Sequence, residues 1–398
     1  MSEPKVDVLR NPLRDVTAAI PPLDPDVWEF HRRMPGYAPT LLVDCPRVAE
    51  SLGVGRVLVK AETRRLGLPS FKILGASWAT YRAVCERLGH EPRPWTNITE
   101  LATQLEELRP FALAAATDGN HGRAVAFMAR TLGFSCRIFV PEGTTPARIS
   151  AIESEGARVV VVDGDYDEAV RRSAREAEDR CLVISDTSWP GYETTPARVS
   201  EGYATIFDEV DFALASSDIG ALDAVFVPVG VGALMSAAVR HYRAGDAAGG
   251  PLIVGVEPID ANCVAASAAA GELVTVPGPH RSIMVGLNCG TASMIGWPIV
   301  AAGVDVFVSI DDDWARHAMV TLADAGVVAG ETGAAALAGL TALVDADLSN
   351  GLSDVGERLG PDSTVLLLCT EGATDPGAYR DIVGRDPESV GQIVTAAT

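Results

Sequence analysis

Short apolar segments alternate with helical segments along most of this 398-residue chain, and that alternation limits the fold more than any other feature. Runs such as RVLVKA (56–61), CRIFV (136–140) and TVLLLC (364–369) predict buried strands, and amphipathic stretches lie between them. Strands that recur about every twenty residues with helices between them are typical of right-handed βαβ units and a parallel sheet. We therefore predict an α/β fold with mainly parallel, twisted sheets flanked by helices.

The alternation is interrupted near residues 85–90 and again near 190, which predicts two lobes. We expect residues 1–84 and 192–398 to form the larger domain and residues 85–191 a smaller α/β domain. At the local level, the pattern predicts a loop over EPRPWTNITE (91–100) and a single helix over 197–211. A chain of this length can supply the cores of two such lobes.

Charge and cysteine content exclude several classes of protein. The net charge of −21 disfavours nucleic acids and anionic membranes as partners, because both carry the same sign. The seven cysteines are scattered and never spaced as CxxC, which predicts a reducing, cytoplasmic environment and no zinc site. The opening residues contain no apolar signal-peptide core, and no apolar run is long enough to cross a bilayer, so we expect a soluble intracellular protein.

Ligands of open parallel sheets bind outside the carboxyl ends of the strands, where the connecting loops converge. Four loops follow predicted strands and are rich in glycine, aspartate, serine and threonine. They are TDGNHG (117–122), SDTSWPGY (185–192), PVGVGAL (228–234) and CTEGATDP (369–376). A fifth loop, RRLGLPS, also follows a strand and leads to Lys72.

Lys72 stands at the start of an otherwise apolar helix, in the stretch SFKILGAS. A lone lysine is most often a surface residue whose aliphatic stem covers the core while its ammonium reaches water. The small residues that follow it favour a second interpretation, an amine that reacts away from bulk water. The remaining motifs decide between the two.

The loop PVGVGAL follows a strand and opens a helix, as phosphate-binding loops do. Gly230 and Gly232 would let the backbone approach an anion, and the helix start would offer unpaired N–H groups. A nicotinamide-dinucleotide fingerprint is an alternative, with Glu257 as the ribose-binding acid, although Met235 stands where that fingerprint requires glycine. A glycine turn without a ligand is the third interpretation.

Polar side chains follow two further apolar strands. Asp118, Asn120 and His121 lie in TDGNHG, and Asp186 lies in SDTSWPGY. Each alone fits a turn or a helix cap, and His121 alone fits a capping or structural role. Two carboxylates, a phosphate loop and a lysine together fit a phosphate-anchored cofactor that the lysine holds covalently while the carboxylates move protons. Pyridoxal phosphate meets these requirements.

Four stretches resemble the fold type II pyridoxal-phosphate enzymes, the superfamily of tryptophan synthase β and threonine dehydratase. They are SFKILGAS, ATDGNHGRAVAFMA, PVGVGAL and CTEG. Within that superfamily the chain is similar to the diaminopropionate ammonia-lyase family over roughly residues 35–378. The elements TDGNHG and DTSWPGY are the most discriminating, because other dehydratases of this fold carry serine where Asp118 stands.

The resemblance implies a two-lobed fold with the cofactor in the cleft between the lobes, and it implies a role for each site residue. Lys72 matches the lysine that holds the cofactor covalently, and Asn120 matches the asparagine that hydrogen-bonds the cofactor's phenolic oxygen. Asp118 and Asp186 match two acids that remove the α-proton from opposite faces, which admits D- and L-substrates. The phosphate-binding loop of the family matches Gly230, Val231, Gly232, Ala233 and Leu234. The group that faces the pyridine nitrogen matches Thr370, with Cys369 as a less favoured alternative.

The activity implied by the resemblance is α,β-elimination of ammonia from D- or L-2,3-diaminopropionate to give pyruvate and ammonia. The implied enzyme is a cytoplasmic homodimer that uses pyridoxal phosphate. Three alternatives remain: elimination or dehydration of serine, threonine or another β-substituted amino acid, a non-catalytic sensor, and a nicotinamide-dependent oxidoreductase. Ala61 and Pro69–Ser70 depart from the family pattern close to Lys72 and bear on substrate choice.

Overall fold

Across residues 4–117, 119–164, 166–346 and 352–390, which the computed structural model describes, the chain forms eleven strands and sixteen α-helices. The strands are β1 (Val6–Arg10), β2 (Leu42–Asp44), β3 (Arg56–Ala61), β4 (Ala112–Ala116), β5 (Ser135–Pro141), β6 (Arg158–Val162), β7 (Cys181–Val183), β8 (Ala224–Pro228), β9 (Leu252–Pro258), β10 (Val306–Ile310) and β11 (Thr364–Cys369). The helices are α1 (Asp26–Arg32), α2 (Pro46–Leu52), α3 (Lys72–Leu88), α4 (Ile98–Gln104), α5 (Asn120–Leu132), α6 (Pro146–Glu153), α7 (Tyr166–Ala174), α8 (Thr194–Gly202), α9 (Ala204–Ala215), α10 (Ala233–Arg243), α11 (Cys263–Ala270), α12 (Trp297–Gly303), α13 (Asp312–Asp324), α14 (Ala335–Asp345), α15 (Ser353–Glu357) and α16 (Pro376–Val383).

These elements form two compact units. The first comprises Met1–Leu23, Pro39–Arg64 and Ile206–Thr398, and the second comprises Asp24–Ala38 and Arg65–Thr205. The boundaries expected near residues 85 and 191 both fall inside the second unit, because α3 packs along α5 and α8, which belong to that unit.

The first unit contains a seven-stranded sheet in the order β1-β10-β9-β8-β11-β3-β2. Its five central strands are parallel, and the edge strands β1 and β2 run antiparallel to their neighbours. Leu367 of β11 pairs with Val59 on one side and with Phe226 on the other, and all three side chains are buried. Central parallel strands are covered on both faces, which explains why TVLLLC is apolar throughout rather than alternating.

The second unit contains a four-stranded parallel sheet in the order β6-β5-β4-β7. Ala114, Ala115 and Ala116 of β4 are completely buried, and helices α5 and α7 contact this strand and β5. Small side chains on β4 leave room for both helices to approach the sheet. Strands β4 and β7 are parallel neighbours, so the loops that follow them lie at the same edge of this sheet.

The predicted α/β fold with mainly parallel sheets is confirmed, and two local predictions are wrong. Helix α4 begins inside the predicted loop 91–100, because the Asn97 side chain accepts hydrogen bonds from Thr99 N and Glu100 N and so caps the helix. The predicted helix 197–211 is two helices, α8 and α9, which meet at Tyr203. Within the described residues, none of the helices combines the length and apolar character that a membrane span requires.

Candidate active site

The sequence contains three lysines, Lys5, Lys60 and Lys72, and their surroundings differ. Lys60 is buried in the first unit, where its Nζ donates hydrogen bonds to Glu209 Oε2 at 2.5 Å and to the Thr40 carbonyl at 2.9 Å. Lys5 is exposed. Lys72 is the first residue of α3, its side chain is 25% exposed, and its Nζ lies 2.8 Å from Asp186 Oδ2. Partial exposure beside a carboxylate at a helix start favours Lys72 as the reactive amine.

A tight hairpin precedes Lys72. The backbone N–H groups of Arg65 and Leu68 donate to each other's carbonyls at 2.8 and 2.9 Å. The two residues between them, Leu66 and Gly67, have φ values of +52° and +83°. A two-residue turn with both central residues left-handed matches the twist of a hairpin, but a left-handed leucine costs about 1–2 kcal/mol. Leu66 is buried, so packing holds this strained turn in place.

Helix α3 lies very close to α8, and two glycines make that approach possible. A Cβ atom on Gly75 would lie 2.6 Å from the Val199 carbonyl oxygen and 2.6 Å from the ring of Tyr203. A Cβ atom on Gly202 would lie 2.6 Å from the Leu74 carbonyl oxygen. These separations leave no room for a side chain at either position. The contact fixes the helix that carries Lys72 at its first residue.

The loop that carries Asp186 is a braced hairpin. The Tyr192 hydroxyl donates to the Val183 carbonyl at 2.5 Å and accepts from the Ser185 N–H at 3.1 Å, so it spans the end of β7. Trp189 and Tyr192 pair through their backbones, and their rings stack with centroids 4.1 Å apart. Because the hairpin is tied back to the strand, Asp186 is presented in one place.

Among the residues that the structure describes, three side chains face the Asp186 carboxylate. Lys72 Nζ lies 2.8 Å from Oδ2, His121 Nδ1 lies 3.8 Å from Oδ2, and the Tyr166 hydroxyl lies 3.5 Å from Oδ1. Burial by itself raises the pKa of Asp186, but His121, the Lys72 ammonium and the Lys72 hydrogen bond outweigh it and hold that pKa well below its usual range. Asp186 is therefore an ionised carboxylate, a proton acceptor beside the amine.

The loop TDGNHG joins β4 to α5. Asn120 is the first residue of α5, and His121 is buried, with its Nε2 2.7 Å from the Ile184 carbonyl oxygen. A Cβ atom on Gly122 would lie 2.3 Å from Thr117 Cγ2, so only glycine lets α5 start this close to the strand. Asp118 lies outside the described residues.

In the first unit, the loop from Gly230 to Leu234 joins β8 to α10, as the sequence predicts. Gly232 has φ +93° and immediately precedes the helix, so an L-residue with a side chain would be strained there. A Cβ atom on Gly230 would lie 3.1 Å from the Gly286 carbonyl oxygen and 3.2 Å from Cys289 Sγ. A glycine turn that opens an eleven-residue helix fits a phosphate group, because the N–H groups of the first helical turn converge at the helix start.

Glu257 does not act as a ribose-binding acid. Its two carboxylate oxygens accept the N–H groups of Val264 and Ala265 at 2.9 and 2.8 Å, so the side chain satisfies the first turn of α11. Burial raises the pKa of Glu257 to about 8, against the lowering effect of those two N–H groups. Because both oxygens of Glu257 bind backbone N–H groups, the carboxylate is not available to a ribose. The nicotinamide-dinucleotide interpretation of PVGVG therefore lacks its ribose-binding acid.

Thr370 and Cys369 follow one another at the end of β11, and their environments differ. Cys369 Sγ packs in the apolar core of the first unit, and burial raises the pKa of the thiol above its usual range. The Thr370 hydroxyl donates to the Thr332 carbonyl at 3.4 Å. A polar atom just outside the strand end suits a ring nitrogen better than a core thiol does, which supports Thr370 over Cys369.

Of the residues that the sequence singles out, Lys72, Asp186, Asn120 and His121 belong to the second unit, and the first two are in contact. Gly230, Val231, Gly232, Ala233, Leu234 and Thr370 belong to the first unit. Two further residues near Asp186, Tyr166 and Tyr192, are not among those that the sequence singles out. Tyr192 lies within the loop SDTSWPGY, which the sequence does single out, whereas nothing in the spacing of Tyr166 indicates that it contacts Asp186.

Comparison with known proteins gives concordant results. The family described as pyridoxal-phosphate dependent enzyme matches residues 33–369. Diaminopropionate ammonia-lyase of Escherichia coli (strain K12) is 33% identical over 368 residues, covering 91% of this chain and 91% of that protein. The Salmonella typhimurium diaminopropionate ammonia-lyase is 32% identical over 370 residues, covering 90% and 91%. The crystal structure of the Escherichia coli enzyme with an aminoacrylate-PLP azomethine reaction intermediate superposes with a TM-score of 0.84 at 29% identity, covering 98% and 99% of the two chains.

The match over most of the chain shows that the protein belongs to the pyridoxal-phosphate-dependent enzymes, and pyridoxal phosphate is its cofactor. The two ammonia-lyases match over 91% and 90% of this chain and over 91% of their own length. Threonine deaminase isoform 2 of Solanum lycopersicum, with a TM-score of 0.69 at 20% identity, shares the fold alone. The nicotinamide-dependent and non-catalytic interpretations are thereby excluded.

Proposed function

We propose that this protein catalyses the elimination of ammonia from D- and L-2,3-diaminopropionate. The β-amino group leaves as ammonia, and hydrolysis of the unsaturated product gives pyruvate and a second ammonia. The observation that carries the proposal is the contact of Lys72 Nζ with an ionised, braced Asp186 at 2.8 Å. Full-length similarity to diaminopropionate ammonia-lyases supports this substrate over other β-substituted amino acids.

Individual residues fit parts of the cofactor. Lys72 would hold the aldehyde carbon and Asn120 the phenolic oxygen. The turn from Gly230 to Leu234 would hold the phosphate, and Thr370 would face the pyridine nitrogen. Bound pyridoxal phosphate supplies an electron sink for the pair of electrons that α-proton removal leaves behind.

The side chains move the protons. Asp186 is ionised and therefore can accept the α-proton from one face of the substrate. Lys72 donates to Asp186 in this structure, so its amine reaches the atom that would carry the abstracted proton. The amine can in turn deliver a proton to the departing β-amino group, which leaves as neutral ammonia.

The enantiomers test this assignment of bases. Asp186→Asn keeps the shape of the side chain and removes the base, so kcat/KM for L-diaminopropionate should fall by about 10²–10⁴-fold while the D-isomer is spared. Asp118→Asn should have the opposite selectivity. Steady-state pyruvate release with each isomer is the measurement. Equal losses with both isomers in both variants would reject two separate bases.

A second candidate is elimination from serine or threonine. Two observations favour it: a structural neighbour is the Escherichia coli ammonia lyase in complex with D-serine, and Pro69–Ser70 departs from the family pattern just before Lys72. Pyruvate or 2-oxobutyrate release from D- and L-diaminopropionate, serine and threonine decides between them. A kcat/KM that is higher for serine or threonine than for both diaminopropionate isomers would overturn the proposed substrate.

Assembly and location complete the proposal. We infer a homodimer, and light scattering of the purified holoenzyme should give about twice the chain mass of 41.7 kDa. We also infer a cytoplasmic enzyme, since seven cysteines without a disulfide-like spacing suit a reducing compartment. Cell fractionation checks the location.

A further inference from the structure

His121 presents an unusual pair of ring nitrogens. Its Nε2 lies 2.7 Å from the Ile184 carbonyl oxygen, which can only accept, so Nε2 carries a proton. Its Nδ1 is buried, has no hydrogen-bond partner among the described residues, and lies 3.8 Å from Asp186 Oδ2. A buried polar atom without a partner is costly unless it serves a purpose.

The geometry places a ring nitrogen of His121 beside the Asp186 carboxylate. With Nε2 protonated, a neutral imidazole would direct the lone pair of Nδ1 toward a carboxylate oxygen, and two acceptors would face each other in a buried place. A proton on Nδ1 turns that repulsion into an attraction between an imidazolium and a carboxylate. The Ile184 carbonyl belongs to the segment that leads into Asp186, so one ring holds both the backbone and the side chain of this loop.

We propose that His121 is a positioning residue that keeps Asp186 ionised and in place and thereby sets the enzyme's activity toward the L-isomer relative to the D-isomer. This inference rests on the proposed function, in which Asp186 serves one face of the substrate. Lys72 also pairs with Asp186, but its amine has a second task when the cofactor is bound.

The pH dependence of kcat/KM also depends on the other titratable groups near Asp186. Among the described residues, Lys72 of α3 and Tyr166 of α7 contact the carboxylate, and its charge acts on Tyr192, which precedes α8, and on Tyr203, which follows it. Burial raises the pKa of Tyr192 to about 12 and that of Tyr203 still higher. Neither tyrosine titrates on the acid side, so neither accounts for an acid-side change in a His121 variant.

Two substitutions of His121 separate its two contacts. A glutamine amide can reach the Ile184 carbonyl in place of Nε2 but leaves nothing where Nδ1 stands. An asparagine amide can stand where Nδ1 does but is too short to reach Ile184. His90→Gln, at an exposed position of the same unit, is the control.

The decisive experiment measures kcat/KM against pH for both isomers in these variants. His121→Gln should lower the L-isomer value at neutral pH about tenfold or more and leave the D-isomer value within about twofold. Removing the positive partner raises the pKa of Asp186, so the acid limb of the L-isomer profile should move to higher pH. A larger loss in His121→Asn than in His121→Gln, or equal losses for both isomers, would overturn the proposal, since the first result assigns the role of His121 to the Ile184 contact and the second to packing that serves both isomers.

A second readout needs neither substrate nor cofactor. Urea unfolding of the apoprotein should show non-additive midpoint shifts for His121→Gln, Asp186→Asn and the double variant, because one change removes the partner of the other. Additive shifts would reject a direct contact. If the wild-type enzyme released no pyruvate from either isomer, the proposed function would fail, whereas this cycle would still decide whether His121 acts on Asp186.

Discussion

Lys72 can be tested independently of every other residue, because only two other lysines compete with it. Lys72→Ala removes the covalent link to the cofactor and one proton carrier, so elimination should fall by at least about 10³-fold. Borohydride reduction of the wild-type holoenzyme followed by mass spectrometry should find the pyridoxyl group on Lys72. Lys5→Ala, an exposed position, is the control and should behave as wild type. A label on Lys60 would show that the assignment is wrong.

Gly232 carries the second residue-scale prediction. Gly232→Asp adds a strained side chain at φ +93° and a negative charge where we expect the phosphate, so pyridoxal phosphate should bind at least about tenfold more weakly. Titration of the apoprotein followed by absorbance measures this affinity. Gly271→Asp places the same side chain at a similar φ of +78° with nothing nearby and should retain wild-type affinity. Equal weakening by the two changes would locate the phosphate elsewhere.

At the scale of elements, the crossing of α3 and α8 depends on the absence of side chains. Gly75→Ala forces a methyl group to within 2.6 Å of the Val199 carbonyl and the Tyr203 ring, and overpacking of this kind costs about 1–3 kcal/mol. Urea denaturation should show that loss, and activity should fall because α3 carries Lys72. Gly220→Ala, an exposed position with open space, should change the free energy of unfolding by less than about 0.5 kcal/mol. Unchanged stability in Gly75→Ala would show that the two helices can separate.

The strands that the sequence predicts best are buried on both faces. Strands β3 and β11 begin and end where the pattern places them, since their apolar runs are interrupted sharply by polar loops. The sequence does not predict strand β2, because three residues are too few to show any periodicity. The two helices between 194 and 215 were merged because nothing in the apolar spacing marks the break at Tyr203.

The candidate site shows the same division. The sequence indicates Lys72 and Asp186 as candidates because each follows a strand or opens a helix next to a recognisable loop. Tyr166 could not, because its contact with Asp186 joins α7 to the end of β7 and depends on tertiary packing. His121 was identified but interpreted as a cap or structural residue, since its contacts with Ile184 and Asp186 arise only when β4 and β7 pair.

At the scale of the whole molecule, the main feature is the large negative net charge. A net charge of −21 means that negative surface groups repel one another, and dissolved salt screens that repulsion. The melting temperature of the holoenzyme should therefore rise when monovalent salt increases from about 10 mM to about 200 mM. A melting temperature that falls over this range would show that attractive ion pairs outweigh the repulsion.

The scarcity of lysines has a practical consequence for following cofactor occupancy. A protease that cuts after lysine releases residues 61–72 as one short peptide, because Lys60 and Lys72 bound it. Once the Lys72 amine is reductively capped, cleavage there stops, and the next fragment begins at Ala61 and continues beyond residue 72. The disappearance of one peptide from a digest thus reports how many molecules have a modified active amine, without any spectroscopic signal from the cofactor.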